Sequence, residues 1–211
     1  MIFKQLELGP MANYVYLVAE PGTKECVVVD PAWDVPAILR AVEEGGWRLT
    51  RAIVTHYHPD HTNGLGALLQ AKDVPVHVHK DDAHALKAFK ENLKPAAGGE
   101  KLFLGKVEIT LLHTPGHTKG SQCLLISDRL VSGDTLFVGN CGRVDLPDSD
   151  PEKMYQSLRR LSGLPGRTVL LPGHNYAEAP SALLESEKLD NPYLRACAEG
   201  PLEDFLALVG M

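Results

Sequence analysis

The 211 residues are 44% hydrophobic and 23% charged, a balance that suits a globular chain and excludes a disordered one. A net charge of -6 lacks the basic footprint that phosphate binding needs, so no nucleic acid partner is expected. No apolar run approaches the ~20 residues of a membrane helix, the start reads as a strand rather than a signal peptide, and Cys26, Cys123, Cys141 and Cys197 lie far apart; a cytoplasmic chain with reduced thiols and no membrane partner is expected.

The length fits one domain over residues 1–211, with a short helical segment after about residue 178. Ile2–Leu8 and Asn13–Ala19 read as strands joined at Gly9-Pro10. Cys26–Asp30 is apolar throughout except at its end, which predicts a central strand covered on both faces. Asp34 caps a helix whose apolar positions Val35, Ile38, Leu39 and Val42 fall at helical spacing, and Gly45-Gly46 ends it. Arg51–Thr55 reads as the end of a buried strand, and Leu65–Ala71 as a helix. Pro75–His79 is expected to be a strand, Asp81–Lys90 a helix and Asn92–Glu100 a loop. Val107–Leu112, Gln122–Ser127, Leu130–Ser132 and Thr168–Leu171 read as strands. Pro151–Leu161 reads as a helix capped by Asp150, and Ala182–Lys188 and Leu202–Val209 as terminal helices. The order suggests two β-sheets packed together with helices outside, an αββα sandwich.

Between the strand ending at Thr55 and the helix at Leu65 lies His56-Tyr57-His58-Pro59-Asp60-His61. A strand that stops in such a cluster places side chains at the carboxyl edge of a sheet, where open α/β folds bind ligands. In extended chain His56 and His58 point to one side and can grip one ion; after the turn at Pro59, Asp60 and His61 point elsewhere and can serve a second. Three later loops each put one strong ligand just past a strand end: His117 in His113-Thr114-Pro115-Gly116-His117, Asp134 after Gly133, and His174 after Pro172-Gly173. Together they supply His56, His58 and His117 for one ion and Asp60, His61 and His174 for another, with Asp134 as the bridge. Imidazole with carboxylate suits zinc, iron or manganese. His113 is read as supporting or structural, His77 and His79 as a half-exposed strand edge, and Thr55 and Thr118 as supports for the imidazoles.

In kind, order and spacing, His56-x-His58-x-Asp60-His61, His117, Asp134 and His174 resemble the metallo-β-lactamase superfamily, over nearly the whole chain from Asn13-Tyr14-Val15-Tyr16 to Asn191-Pro192-Tyr193. Gly133-Asp134-Thr135-Leu136-Phe137, Cys141-Gly142-Arg143 and Gly173-His174-Asn175-Tyr176 look most like glyoxalase II (hydroxyacylglutathione hydrolase) and the related persulfide dioxygenases. The resemblance implies two mixed sheets flanked by helices, two divalent metal ions (zinc, with iron or manganese as alternatives) and hydrolysis of a glutathione-type thioester by a metal-bound hydroxide. Asp60 and Asp134 then have catalytic as well as ligand roles. Arg143 and Tyr176 are the substrate-binding candidates, with an ion pair to Asp145 or Asp148 as the plainer role for Arg143 and ring packing for Tyr176. Full-length glyoxalase II carries a helical extension that helps to bind glutathione, whereas 37 residues follow His174 here, which leaves glutathione specificity open.

The alternative that the resemblance carries is a mononuclear Fe(II) persulfide dioxygenase using His56, His117 and Asp134, since two His and a carboxylate with open positions are the oxygen-activating triad. A non-catalytic metal module is disfavoured because the ligands come from loops at an open edge. A secreted β-lactamase is disfavoured by the missing signal peptide, and a nuclease by the acidity. A catalytic Cys141 is disfavoured because buried, unreactive cysteine is the commoner fate. Phe205–Val209 is apolar enough to dock on its own core or to pair with a second copy as a homodimer.

Overall fold

The computed structural model describes residues 1–211. β1 (Ile2–Leu8) and β2 (Asn13–Ala19) form an antiparallel hairpin. β2 pairs antiparallel with β3 (Glu25–Val29), and β4 (Arg48–Ile53), β5 (Val76–His79) and β6 (Leu93–Ala96) follow in parallel, giving a first sheet in the order β1-β2-β3-β4-β5-β6. The second sheet begins with β7 (Lys101–Leu104), β8 (Val107–His113), β9 (Gln122–Ile126) and β10 (Arg129–Gly133), all antiparallel neighbours. A small ribbon, β11 (Leu136–Phe137) with β12 (Asn140–Cys141), follows. β13 (Val169–Pro172) then joins β10 in parallel, and β14 (Ala182–Leu183) closes the sheet.

α1 (Val35–Glu44) and α3 (Leu65–Ala71) cover the outside of the first sheet. The four-residue α2 (Pro59–Thr62) lies between β4 and α3. α4 (Pro151–Ser162), α5 (Leu184–Asp190), α6 (Pro192–Glu199) and α7 (Leu202–Leu208) cover the second sheet. The layering is the expected αββα sandwich. Strand alternation splits β2 and β3 between two cores. Tyr14, Tyr16, Val18, Val27 and Val29 meet Leu104, Ile109, Leu111, Leu124 and Ile126 between the sheets. Val15, Leu17, Cys26 and Val28 face Ile38, Val42, Leu65 and Leu68 of the helices. β3 is thus central and covered on both faces, as its apolar run predicts.

Because β2 is buried throughout, hydrophobicity alone does not fix its register. Polar contacts do: the Tyr16 hydroxyl donates to the Pro172 carbonyl at 2.6 Å, and the Tyr14 N–H to that of Gly173 at 2.8 Å. The first sheet is thereby tied to the end of β13, one residue from His174.

Several expectations need correction. The stretch expected as a loop, Asn92–Glu100, contains β6; Pro95 lacks an N–H and is tolerated because β6 is an edge strand. The helix expected over Asp81–Lys90 is a 3-10 segment, Ala83–Phe89, broken at Leu86 (φ -102, ψ 18). Ala182 and Leu183 extend the second sheet, so the helix expected from Ala182 starts at Leu184. α6 was not anticipated, although Asn191-Pro192 is a start signal: Asn191 Oδ1 accepts from the N–H groups of Tyr193 and Leu194. β7 was also not anticipated. Of the C-terminal apolar segment, Phe205 is fully buried against Tyr155 of α4, while Leu208 stays 43% exposed. No helix is long and apolar enough to cross a membrane.

Candidate metal centre

The carboxyl ends of β3, β4, β5, β8, β10 and β13 meet at one edge of the sandwich. There Gln122 fastens the sheets, its main-chain N–H donating to Thr55 O at 2.9 Å and its side-chain amide to Val54 O at 2.8 Å. The loops beyond these ends bring all seven expected ligands together. His56, His58 and His117 form one set of donor atoms within 4.8 Å of one another, and Asp60, His61 and His174 a second. Asp134 reaches both sets: its Oδ2 lies 3.6 Å from His117 Nε2 and 3.4 Å from His174 Nε2, and its Oδ1 3.3 Å from His61 Nε2.

The outward nitrogen of each ring shows where its proton sits, because a carbonyl or carboxylate can only accept. His117 Nδ1 donates to Arg143 O at 2.8 Å, His174 Nδ1 to Met11 O at 2.9 Å, and His61 Nδ1 to Asp30 Oδ2 at 2.9 Å. Thr55 Oγ1 donates to Asp30 Oδ2 at 2.6 Å, so its lone pair receives the His56 Nδ1–H at 3.1 Å. Four Nε2 lone pairs are therefore aimed inward. Those of His61 and His174 confront each other at 3.1 Å, and His117 Nε2 stands 2.9 Å from His58 Nδ1. His56 Nε2 and Asp134 Oδ1 are buried without a hydrogen-bond partner. Buried lone pairs held this close repel unless a proton or a cation lies between them, and backing of each imidazole by a carboxylate or carbonyl is how metal-binding histidines are oriented. The residues fit a pair of cations.

Electrostatics separate the two sets. Burial, then neighbouring His117, pushes His58 down to about 4, so its ring is neutral. Burial also opposes charge on His174, yet its bonds to Asp134 and Asp60 overcome it and raise the group to about 9. Burial likewise works against Asp134 and Asp60, but the surrounding imidazoles hold both carboxyls below the usual carboxylate range.

Sequence reasoning missed three supporting residues. Asp30, at the end of β3 with φ +53, accepts from Thr55 N–H at 2.7 Å as well as from Thr55 Oγ1 and His61. Asn13 donates to Asp60 Oδ2 at 3.0 Å and accepts from Trp33 Nε1 at 2.8 Å. Asp82, just past β5, is buried beneath the loops of His56, His58 and His117. A polar residue at the end of an apolar strand was the available signal for Asp30; nothing local marks the others.

The remaining expected residues divide. Thr55 supports His56 as expected, whereas Thr118 bonds Asp82 and Ser121, not a ring. His113 stacks on His79 at 3.8 Å and 9°; parallel rings point their lone pairs side by side rather than at one ion, so this pair is packing. Arg143 makes a bidentate ion pair with Asp145, Nε to Oδ1 at 2.9 Å and Nη2 to Oδ2 at 2.8 Å. Tyr176, 58% exposed, stacks on His174 at 4.5 Å and 10°. Cys141 is buried and its thiol is pushed up to about 12, which keeps it protonated and unreactive.

Residues 8–174 match the family model of the metallo-beta-lactamase superfamily, and the chain belongs to that family. It is 36% identical over 184 residues to hydroxyacylglutathione hydrolase of Cereibacter sphaeroides (strain ATCC 17025 / ATH 2.4.3), covering 86% of this chain and 70% of that protein. Among solved structures it resembles ETHE1 from Myxococcus xanthus, with a TM-score of 0.86 and 31% identity over 99% of this chain and 90% of that one. It also resembles TTHA1623 in a di-iron-bound form, with a TM-score of 0.78 and 30% identity over 90% of this chain and 99% of that one.

Proposed function

We propose that the chain is a binuclear metallohydrolase that cleaves a thioester of the acyl-glutathione type. The observation that carries this is the position of Asp134, one carboxylate within 3.6 Å of His117 on one side and 3.4 Å of His174 on the other, which is what sharing a ligand between two ions requires. His56, His58 and His117 would hold one ion and Asp60, His61 and His174 the other, with zinc favoured by the nitrogen-rich donor set and iron or manganese also suited. When bound, such cations would supply a water of pKa lowered toward ~7 and polarisation of the substrate carbonyl. Asp60, fixed by Asn13, orients the attacking water. A thiolate leaves without strong protonation, so no further general acid is required. Arg143, at the rim, takes a substrate carboxylate with two hydrogen bonds, and the exposed ring of Tyr176 offers a surface for the thiol moiety. The similarity to a hydroxyacylglutathione hydrolase supports the thioester.

The second reading is a persulfide dioxygenase with one Fe(II) on His56, His117 and Asp134. It is favoured by the likeness to ETHE1, which extends over 90% of that chain, against 70% of the hydrolase.

One experiment separates them. Purified protein is analysed for metals, and in parallel its hydrolysis of a glutathione thioester and its oxygen uptake with glutathione persulfide are followed. Two ions per chain with thioester hydrolysis is expected. One iron with oxygen uptake would overturn the hydrolase in favour of the dioxygenase.

A further inference from the structure

We infer that Asp82 is a positioning residue that governs one half of the paired centre without touching any ligand, an inference that rests on His56, His58 and His117 being the ligands of one ion. Asp82 is fully buried and has no cation beside it; three donors surround its carboxylate. Oδ2 accepts from the Tyr57 N–H at 3.1 Å and the Thr118 hydroxyl at 2.7 Å, and Oδ1 from the Gly120 N–H at 2.7 Å.

The placement of those donors is selective. Tyr57 lies between His56 and His58, and Thr118 directly follows His117. One carboxylate, brought by a third element just past β5, thus binds the β4 loop to the loop after β8 and sets the spacing of the three imidazoles. No contact of Asp82 reaches Asp60, His61 or His174, whose orientation comes from Asn13, Asp30 and Met11. The space is closed as well: a Cβ on Gly120 would stand 2.5 Å from Asp82 Oδ1. All three neighbours donate and none accepts. An amide in place of the carboxylate turns an NH2 toward a donor and loses at least one bond, while its volume is unchanged. Buried carboxylate justifies its desolvation only while every oxygen is satisfied. Removing outer groups that orient metal ligands weakens metal binding roughly 10–100-fold.

Stepwise cobalt(II) titration of the metal-free protein, read by visible absorption and by competition with a chromophoric chelator, tests this. Wild type is expected to bind in two steps. In Asp82→Asn, and independently in Thr118→Val, one step is expected to weaken about 10–100-fold with an altered ligand-field spectrum while the other is unchanged. His58→Ala should weaken the same step, and adding Asp82→Asn to it should cost less than Asp82→Asn costs in wild type, since the two share part of one interaction. Wild-type affinities in Asp82→Asn, or equal weakening of both steps as from a general loss of structure, would overturn the positioning role and leave the binuclear centre standing. Wild type that takes up no cobalt would overturn the metal centre itself, and this inference with it.

Discussion

Gly142 and Asp134 share space in which only a hydrogen fits: a Cβ on Gly142 would overlap the Asp134 carbonyl oxygen and stand 3.4 Å from Cγ of His117. The next residue, Arg143, accepts the His117 Nδ1–H through its carbonyl. Any shift of this segment therefore moves both Asp134 and the His117 imidazole. Gly142→Ala is expected to cost about 1–3 kcal/mol by overpacking and to lower metal content. Thermal unfolding of the metal-free protein and metal analysis check this together; a wild-type melting temperature with two ions bound would contradict it.

Asp134→Ala removes the group within reach of both sets. The expected outcome is at most one ion per chain and a fall in turnover of at least roughly 10²–10³-fold, the scale of losing a preorganised electrostatic partner. Metal analysis beside the thioester assay measures both. Full activity with two ions still bound would remove the bridging role.

The two halves should respond differently to pH. A cation must displace any proton its ligand carries, so affinity rises with pH below the ligand's pKa and is flat above it. His58 sits at about 4 and His174 at about 9. Uptake by the Asp60, His61 and His174 half should strengthen from pH 6 to pH 9, roughly tenfold per unit for each proton displaced. His58 adds no such dependence over that range. In the metal-free fold the sign is opposite: His174, raised from 6.5 to about 9, contributes stability that is fully present below 6.5 and is lost as pH rises through 9. Metal-binding calorimetry at pH 6, 7.5 and 9 and denaturant unfolding of metal-free protein measure the two trends, and equal pH slopes for both binding steps would contradict the asymmetry.

What was legible in the chain follows from what is local. The metal-type residues sit at strand ends beside Gly or Pro, so His56, His58, Asp60, His61, His117, Asp134 and His174 announce themselves. The α1 cap at Asp34 and the apolar run of β3 are likewise set by near neighbours. β6 was hidden because Lys94 and Pro95 look like loop, and only pairing with β5 makes an edge strand of them. Asn13, Asp30 and Asp82 were hidden for a related reason. Each acts on a partner 25 to 47 residues away, and a buried polar residue looks like any turn or cap until its partner is in place.

Arg143 gives the sharpest test of the substrate side. Both carboxylate oxygens of Asp145 already occupy its guanidinium, but the pair is exposed, with 67% and 56% of the two side chains open to solvent. Exposed ion pairs are weak and screened, so a substrate carboxylate can displace Asp145 at little cost, and the guanidinium stays extended for bidentate binding until it does. Arg143→Ala is therefore expected to raise KM for a carboxylate-bearing thioester roughly tenfold or more, the scale of a lost charged hydrogen bond, with kcat nearly unchanged. Asp145→Ala should lower KM, because it frees the same guanidinium from its competitor. A purely structural role for the pair predicts that both variants shift stability and neither shifts KM. Steady-state kinetics on a glutathione thioester and on one lacking both glutathione carboxylates decide the matter: the effect of Arg143→Ala must vanish with the second substrate, and if it persists, the residue does not read the carboxylate.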